Sequence, residues 1–407
     1  MGINYNEAAD KCRMYEQEHL LKYYDSLNEA EQDELLAQIM ATDFSVIKQA
    51  MNQEGKGTIT PIEVMEYDAI CAEKEAFEEV GLEQIKAGKV AAVLLAGGMG
   101  TRLGSDAPKG MYDIGLTKEV FIFQRLIDNL MDVVKKADAW IHLFVMTSDK
   151  NHEMTMSFFE EKEYFGYMRE YIHFFKQDMA PATDYNGKIL LETKGKLATS
   201  PNGNGGWFGS LYNSGLEMCI HEEGIEWLNV FAVDNVLQRI ADPVFIGATV
   251  KNGYVSGSKV IRKAAPDEKV GVICLEDGRP SIVEYYELTE ELMNEKNEKG
   301  DPAYNFGVIL NYLFSVKELE RILEESLPLH VVEKKIPYLN EAGETISPEQ
   351  PNGHKYETLI LDMIHMMQNN LPFEVIRERE FAPIKNKTGI DSVESARALL
   401  QQNGVEV

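Results

Sequence analysis

Cysteine is scarce in this chain, basic residues are outnumbered, and no apolar run is long. The four cysteines, Cys12, Cys71, Cys219 and Cys274, lie far apart and lack CxxC or Cys/His spacing. They are expected to be reduced thiols, not a disulfide frame or a zinc site. No stretch approaches the ~20 apolar residues of a bilayer span. The opening "MGINYNEAADKCRMYEQEHL" lacks the basic end and apolar core of a secretory signal. Asn6 stands where a myristoylation motif on Gly2 wants Ser or Thr. Lysine and arginine number 40 against 67 aspartates and glutamates, a formal charge of -27. That excess repels nucleic acid and anionic membranes. The expectation is a cytoplasmic protein with neither partner, in which an anionic small substrate needs a local concentration of cations.

A hydrophobic content of 44% supplies a sizeable core, and 407 residues predict two or three folding units. Residues 1–86 read as a helical N-terminal region. Asn28 and Glu31 mark a helix start there, and Leu35, Leu36, Ile39 and Met40 fall on one face. From 87 to 325 strands alternate with helices. "VAAVLLA", "WIHLFVMT", "YIHFFKQ", "EWLNVFAV" and "SKVIRK" read as strands, and "KNHEMTMSFFEE" and "DPVFIGATVKNG" as helices. Val120, Phe123, Ile127, Leu130 and Val134 recur at helical spacing, and Asp277-Gly278 marks a hairpin. This alternation predicts an α/β domain with a mixed, mostly parallel sheet. Residues 326–407 form a smaller C-terminal region ending in the helical "SVESARALLQQ".

Between the first strand and its helix runs "LLAGGMGTRLGSDAPKGMYDIGL", from Leu94 to Leu116. Its glycines, Gly98, Gly100 and Gly104, have the wrong spacing for a dinucleotide-binding fingerprint. No Lys-Ser or Lys-Thr closes a Walker A loop. Glycines here let the backbone turn tightly and present N–H groups to phosphate oxygens. Arg102 and Lys109 add two positive charges. Asp234 ends an apolar strand, where open α/β sheets place ligands. Its carboxylate suits Mg²⁺ there, or caps the next helix. "SPNGNGGWFGS" holds Gly203, Gly205, Gly206 and Gly209, either for close approach to a flat base or as a plain loop. Glu284 and Lys385 read equally well as surface groups. Lys259, Arg262 and Lys263 add local positive charge or line a solvated strand end.

The pattern "GGxGTRLGxxxPKG" resembles the signature of the eukaryotic-type UDP-sugar pyrophosphorylases, most of all those acting on UDP-N-acetylglucosamine. "EKEYFGY", "FFKQDMAPA", "SPNGNGG", "FAVDNVL", "KVGVICLEDGRPSIVEYYEL", "VVEKKIPYLNEAGETISPEQPNGHKYE" and "FAPIKNKTG" resemble that family in the same order, across residues ~90–390. The resemblance implies a Rossmann-like, GT-A-like nucleotidyltransferase fold, with residues 87–325 as the catalytic domain. It implies that Leu95, Ala96, Gly97 and Gly98 line the nucleotide, while Arg102, Lys109 and Lys385 hold its phosphates. Gln177 and Gly203 would read the uracil, and Asp234 would carry magnesium. Asn204, Gly271, Glu284 and Asn305 would surround the sugar.

The implied reaction joins UTP to N-acetylglucosamine 1-phosphate by attack on the α-phosphorus and releases pyrophosphate. No GxSxG elbow or placed Cys/His pair offers a protein nucleophile. Alternatives are glucose 1-phosphate, a broad range of sugars, or a silent nucleotide-sugar sensor. The family's "NAGN" reads "NFGV" here, from Asn305 to Val308, which bears on sugar choice. Met99 replaces a frequent glutamine, a change expected to be tolerated.

Overall fold

A computed structural model describes residues 4–49, 57–325 and 327–407. Gly2, with its lipidation reading, and parts of the expected 1–86 region lie outside them. Along the chain come helices α1 (Tyr5–Met14), α2 (Glu29–Ala41) and α3 (Tyr67–Lys86), then strand β1 (Val90–Leu95) and helix α4 (Ile122–Ala137). Next are β2 (His142–Thr147), α5 (His152–Glu161), β3 (Ile172–Lys176), β4 (Met179–Asp184) and β5 (Thr199–Pro201). Helix α6 (Glu217–Glu222), β6 (Trp227–Ala232), α7 (Pro243–Lys251) and β7 (Ser256–Arg262) follow. The hairpin of β8 (Val272–Glu276) and β9 (Arg279–Val283) leads to β10 (Phe306–Ser315). The chain closes through β11 (His330–Lys334), β12 (Gly353–Glu357), β13 (Leu371–Glu374) and α8 (Val393–Gln402).

These elements form two compact units. The larger one takes 57–177, 207–325 and 361–407; the smaller takes 4–49, 178–206 and 327–360. The expected division at 86 and 325 runs differently. Residues 178–206 leave the middle segment for the smaller unit, and 361–407 belong with the larger one. Each unit closes its core with chain segments far apart in sequence, which a linear reading of composition does not register.

The larger unit is built on a mixed sheet. Strands β6, β1, β2 and β3 are mutually parallel neighbours in that order. Antiparallel β10 extends the sheet beyond β6, and β8, β9, β7 and β13 attach past it. β1 is buried along its whole length, as a central parallel strand covered on both faces must be. Helix α4 buries Phe123, Leu126, Ile127, Leu130 and Val134 against it. The hairpin turn is made by Asp277 and Gly278, both at positive φ (49° and 79°), as a tight two-residue connection requires.

In the smaller unit α1 and α2 pack on an antiparallel sheet of order β11-β12-β4-β5. Asn28 caps α2 and Glu31 returns the bond, as expected. Leu35, Leu36 and Ile39 are buried, but Met40 faces outward at 37% exposure, so the apolar face is narrower than the sequence suggests. No helix among the described residues is long and apolar enough to cross a membrane.

Candidate active site

The parallel strands β6, β1, β2 and β3 all end at one edge of the larger unit's sheet, where open α/β folds place ligands. β1 leads into the glycine loop. Ala96 is buried, Gly97 is half-buried and Gly98 is exposed. The loop is held by its own backbone: Lys109 N donates to Gly98 O (3.1 Å), and Gly100 N donates to Ala107 O (2.8 Å). Asn151, fully buried, donates from Nδ2 to Ala96 O (2.9 Å) and accepts from Ser148 N (2.7 Å). This asparagine was not picked out from the sequence, because nothing local marks it. A Cβ on Gly98 meets no atom within 4 Å, so the backbone there faces open space. A Cβ on Gly97 comes within 3.2 Å of Gln177 Oε1, which places Gln177, buried just beyond β3, beside the loop.

Arg102 sits in a short 3-10 turn (Thr101–Leu103) pinned by buried Leu103. Among the described residues neither Arg102 nor Lys109 makes a side-chain hydrogen bond or ion pair. Lys109 is half-buried, and its pKa is held below the ordinary 10.5 chiefly by that burial. Asp234 opposes this, while Arg102 and Lys385 add to it, so the four charged groups share one neighbourhood. Three cations and one carboxylate converge in a protein of charge -27. Such an arrangement is built for a polyanion.

Asp234 follows β6 in a turn, and its half-buried carboxylate accepts no hydrogen bond or ion pair among the described residues. It does not cap the next helix. Asp242 does that, accepting from Val244 N. The turn is zipped to the segment before Lys385. Ile384 N donates to Asp234 O (2.9 Å), and Ala382 N donates to Asn235 Oδ1 (2.9 Å). Asn235 Nδ2 donates to Glu380 O (2.8 Å). Residues 150 positions apart thereby reach one place. Lys385 itself is paired with Asp391 (3.0 Å).

Lys259 departs from the expected solvated strand end. It is fully buried and pairs with Asp242 (3.0 Å) and Glu380 (2.6 Å). It therefore ties the cap of α7 to the segment leading to Lys385. Arg262 pairs with Glu66 and Glu374 and lies over the Phe306 ring at 4.9 Å; Lys263 caps the Pro266 carbonyl.

A second group gathers around Gly271. A Cβ there would lie 3.5 Å from Val308 and 3.8 Å from Glu284 Oε2, and Val308 N donates to Gly271 O. Asn305 is half-buried, its carbonyl accepting from Lys263 N. Of the two departures in "NFGV", Val308 thus faces the Gly271–Glu284 group, while Phe306 is covered by Arg262. Gly203 and Asn204 belong to the smaller unit. Gly203 holds φ +88° with its α-carbon against Thr358, and Asn204 Oδ1 accepts from Ile360 N.

A family model described as UTP–glucose-1-phosphate uridylyltransferase matches residues 34–407. The mouse UDP-N-acetylhexosamine pyrophosphorylase-like protein 1 is 36% identical, over 95% of this chain and 82% of its own. The UDP-N-acetylglucosamine pyrophosphorylase of Saccharomyces cerevisiae is also 36% identical, over 94% and 86%. The crystal structure of the Trypanosoma brucei uridine diphosphate N-acetylglucosamine pyrophosphorylase superposes with a TM-score of 0.84 at 27% identity, covering 98% of this chain and 84% of that one. With the glycine loop and its cations at the strand ends, these matches establish that the chain belongs to the UTP–glucose-1-phosphate uridylyltransferase family, the UDP-sugar pyrophosphorylases.

Proposed function

We propose that the protein transfers the uridylyl group of UTP to N-acetylglucosamine 1-phosphate, giving UDP-N-acetylglucosamine and pyrophosphate. The observation that carries this is the pair Arg102 and Lys109. Among the described residues both are uncommitted cations, on a loop whose backbone faces open space at Gly98. A phosphate oxygen of the sugar phosphate attacks the α-phosphorus in line, and the bond to the bridging oxygen breaks as pyrophosphate leaves. The attacking oxygen is already ionised, so no general base is needed. The rate then depends on holding two repelling anions together and on offsetting the charge that develops. Arg102 and Lys109 serve the triphosphate, and Lys385 can join them by leaving Asp391. Leu95, Ala96, Gly97 and Gly98 offer backbone to the nucleotide, and Gln177 stands beside them to read its base. Gly271, Glu284 and Asn305 take the hexose.

Magnesium, when bound, offsets phosphate charge. Asp234 would hold it, since its carboxylate is a hard oxygen donor with no hydrogen-bond or ion-pair partner among the described residues. We place the reaction in the cytoplasm, consistent with four cysteines that form no disulfide among the described residues.

The test is pyrophosphate release from UTP and Mg²⁺ with N-acetylglucosamine 1-phosphate and glucose 1-phosphate side by side. The expected kcat/KM favours the acetamido sugar by roughly tenfold or more, the range that substituent contacts supply. A preference for glucose 1-phosphate would keep the reaction and overturn the sugar. Binding of UDP-sugar without release from either would mark a sensor.

A further inference from the structure

At the other ends of β2 and β3, away from the loop, stands a group that uridylyl transfer does not use. His142 opens β2, and the parallel register sets Phe144 beside His173 on β3. Residues two apart share a face of a strand, so both imidazoles project on the same side. Helix α6 lays Cys219 over them. His142 Nδ1 and His173 Nε2 are 3.0 Å apart, and Cys219 Sγ lies 4.0 and 3.8 Å from the same two nitrogens. Among the described residues this is the one such set of possible metal ligands, all its donor atoms within 4.8 Å of one another.

We propose that His142, His173 and Cys219 form a binding site for one borderline divalent cation, of which Zn²⁺ is the type. Tetrahedral zinc with nitrogen at ~2.0–2.1 Å and sulfur at ~2.3 Å sets N···N near 3.3 Å and N···S near 3.6 Å. The observed spacings differ from these by a few tenths of an ångström. Two imidazoles and a thiolate select zinc or its neighbours over hard magnesium. The Glu223 carboxylate faces the outer nitrogen of His142, Nε2, at 3.9 Å. Its charge favours a proton on that nitrogen, which leaves the Nδ1 lone pair toward the group, though 3.9 Å is beyond a direct hydrogen bond. The Cys219 thiol gives its proton to solvent as the cation binds, and the thiolate takes that place. All three residues are half-buried, so the group is not sealed from solvent, which could supply a fourth ligand. The ion would clamp α6 to β2 and β3 about one strand length, ~17 Å, from the loop.

Cobalt(II) is the probe. The full chain is stripped with a chelator and titrated with Co²⁺, then with Zn²⁺. The expected result is one Co²⁺ per chain, with a thiolate-to-cobalt charge-transfer band and intense tetrahedral d–d bands, displaced by Zn²⁺. Cys219→Ser should abolish the charge-transfer band while retaining uridylyl transfer, whereas Cys71→Ser, at the exposed cysteine, should change nothing. Glu223→Gln, which removes only a nearby charge, should weaken Zn²⁺ binding by about two- to threefold. Zn²⁺ should raise the melting temperature of the wild type and not of Cys219→Ser, a comparison that also reports whether the variant folds. Absence of the band in the wild type, or its persistence in Cys219→Ser, would overturn the site. The group would then be a hydrogen-bonded histidine pair beside a packed thiol.

Discussion

Lys109→Ala is expected to lower kcat/KM for UTP by ~10²–10³, the usual cost of removing one positioned charge from a developing anion. The fold should not suffer. Lys109 makes no ion pair or hydrogen bond among the described residues, and burial already penalises its charge. Its pKa lies below the ordinary value, so the folded state binds that proton less well than the unfolded state does. The penalty is present in full below the folded pKa and fades as pH rises toward 10.5. Lys109→Met should therefore melt no lower than the wild type at neutral pH, and any gain should vanish in strong alkali. Activity carries the opposite sign. As pH rises the free enzyme loses the Lys109 charge earlier than an ordinary lysine would, so kcat/KM falls on the alkaline side. Lys109→Arg should move that fall to higher pH. Lower thermal stability together with unchanged kcat/KM in Lys109→Ala would identify a structural lysine.

Lys259→Met is the counterpart, with its large effect on folding. It leaves Asp242 and Glu380 buried without their shared cation, and removing one partner of a buried ion pair costs about 3–5 kcal/mol. The two carboxylates already differ. Burial pushes both upward, but Lys259 and Arg239 carry Asp242 below the usual range, while Glu380 stays above it. Converting both to neutral amides beside Lys259→Met should recover much of the loss. Because Glu380 adjoins the segment zipped to Asn235, kcat should fall as well, through displacement of Asp234 and Lys385. Urea unfolding of the single and triple variants separates the two effects. An unchanged unfolding midpoint for Lys259→Met would contradict the buried cluster.

Arg102 and Lys109 stood out because loop chemistry is local, glycines and cations lying within a few residues after β1, and Asp234 stood out separately as the end of its own apolar strand β6. The central strands were equally legible, since β1 and β6 are short apolar runs. Other strands were not. β4 carries Pro181 and β13 carries Pro372, residues that argue against a strand, and β12, "GHKYE", is too polar to stand out. Lys259 read as a local charge or as part of a solvated strand end because Arg262 and Lys263 follow it so closely. In the fold β7 lies between β10 and β13, so neither of its sides is an edge. His142, His173 and Cys219 are 31 and 46 residues apart in sequence and meet only through strand register and the placement of α6. No spacing rule finds such a set.

The proposed transfer is direct, by positioned charge, with no covalent protein intermediate. The stereochemistry at phosphorus distinguishes this from a two-step route. UTP carrying a single configuration of sulfur at the α-phosphorus is converted with N-acetylglucosamine 1-phosphate, and the configuration of the UDP-sugar is read by phosphorus NMR. One in-line displacement predicts inversion. Retention would require two displacements through a uridylylated side chain and would contradict direct transfer.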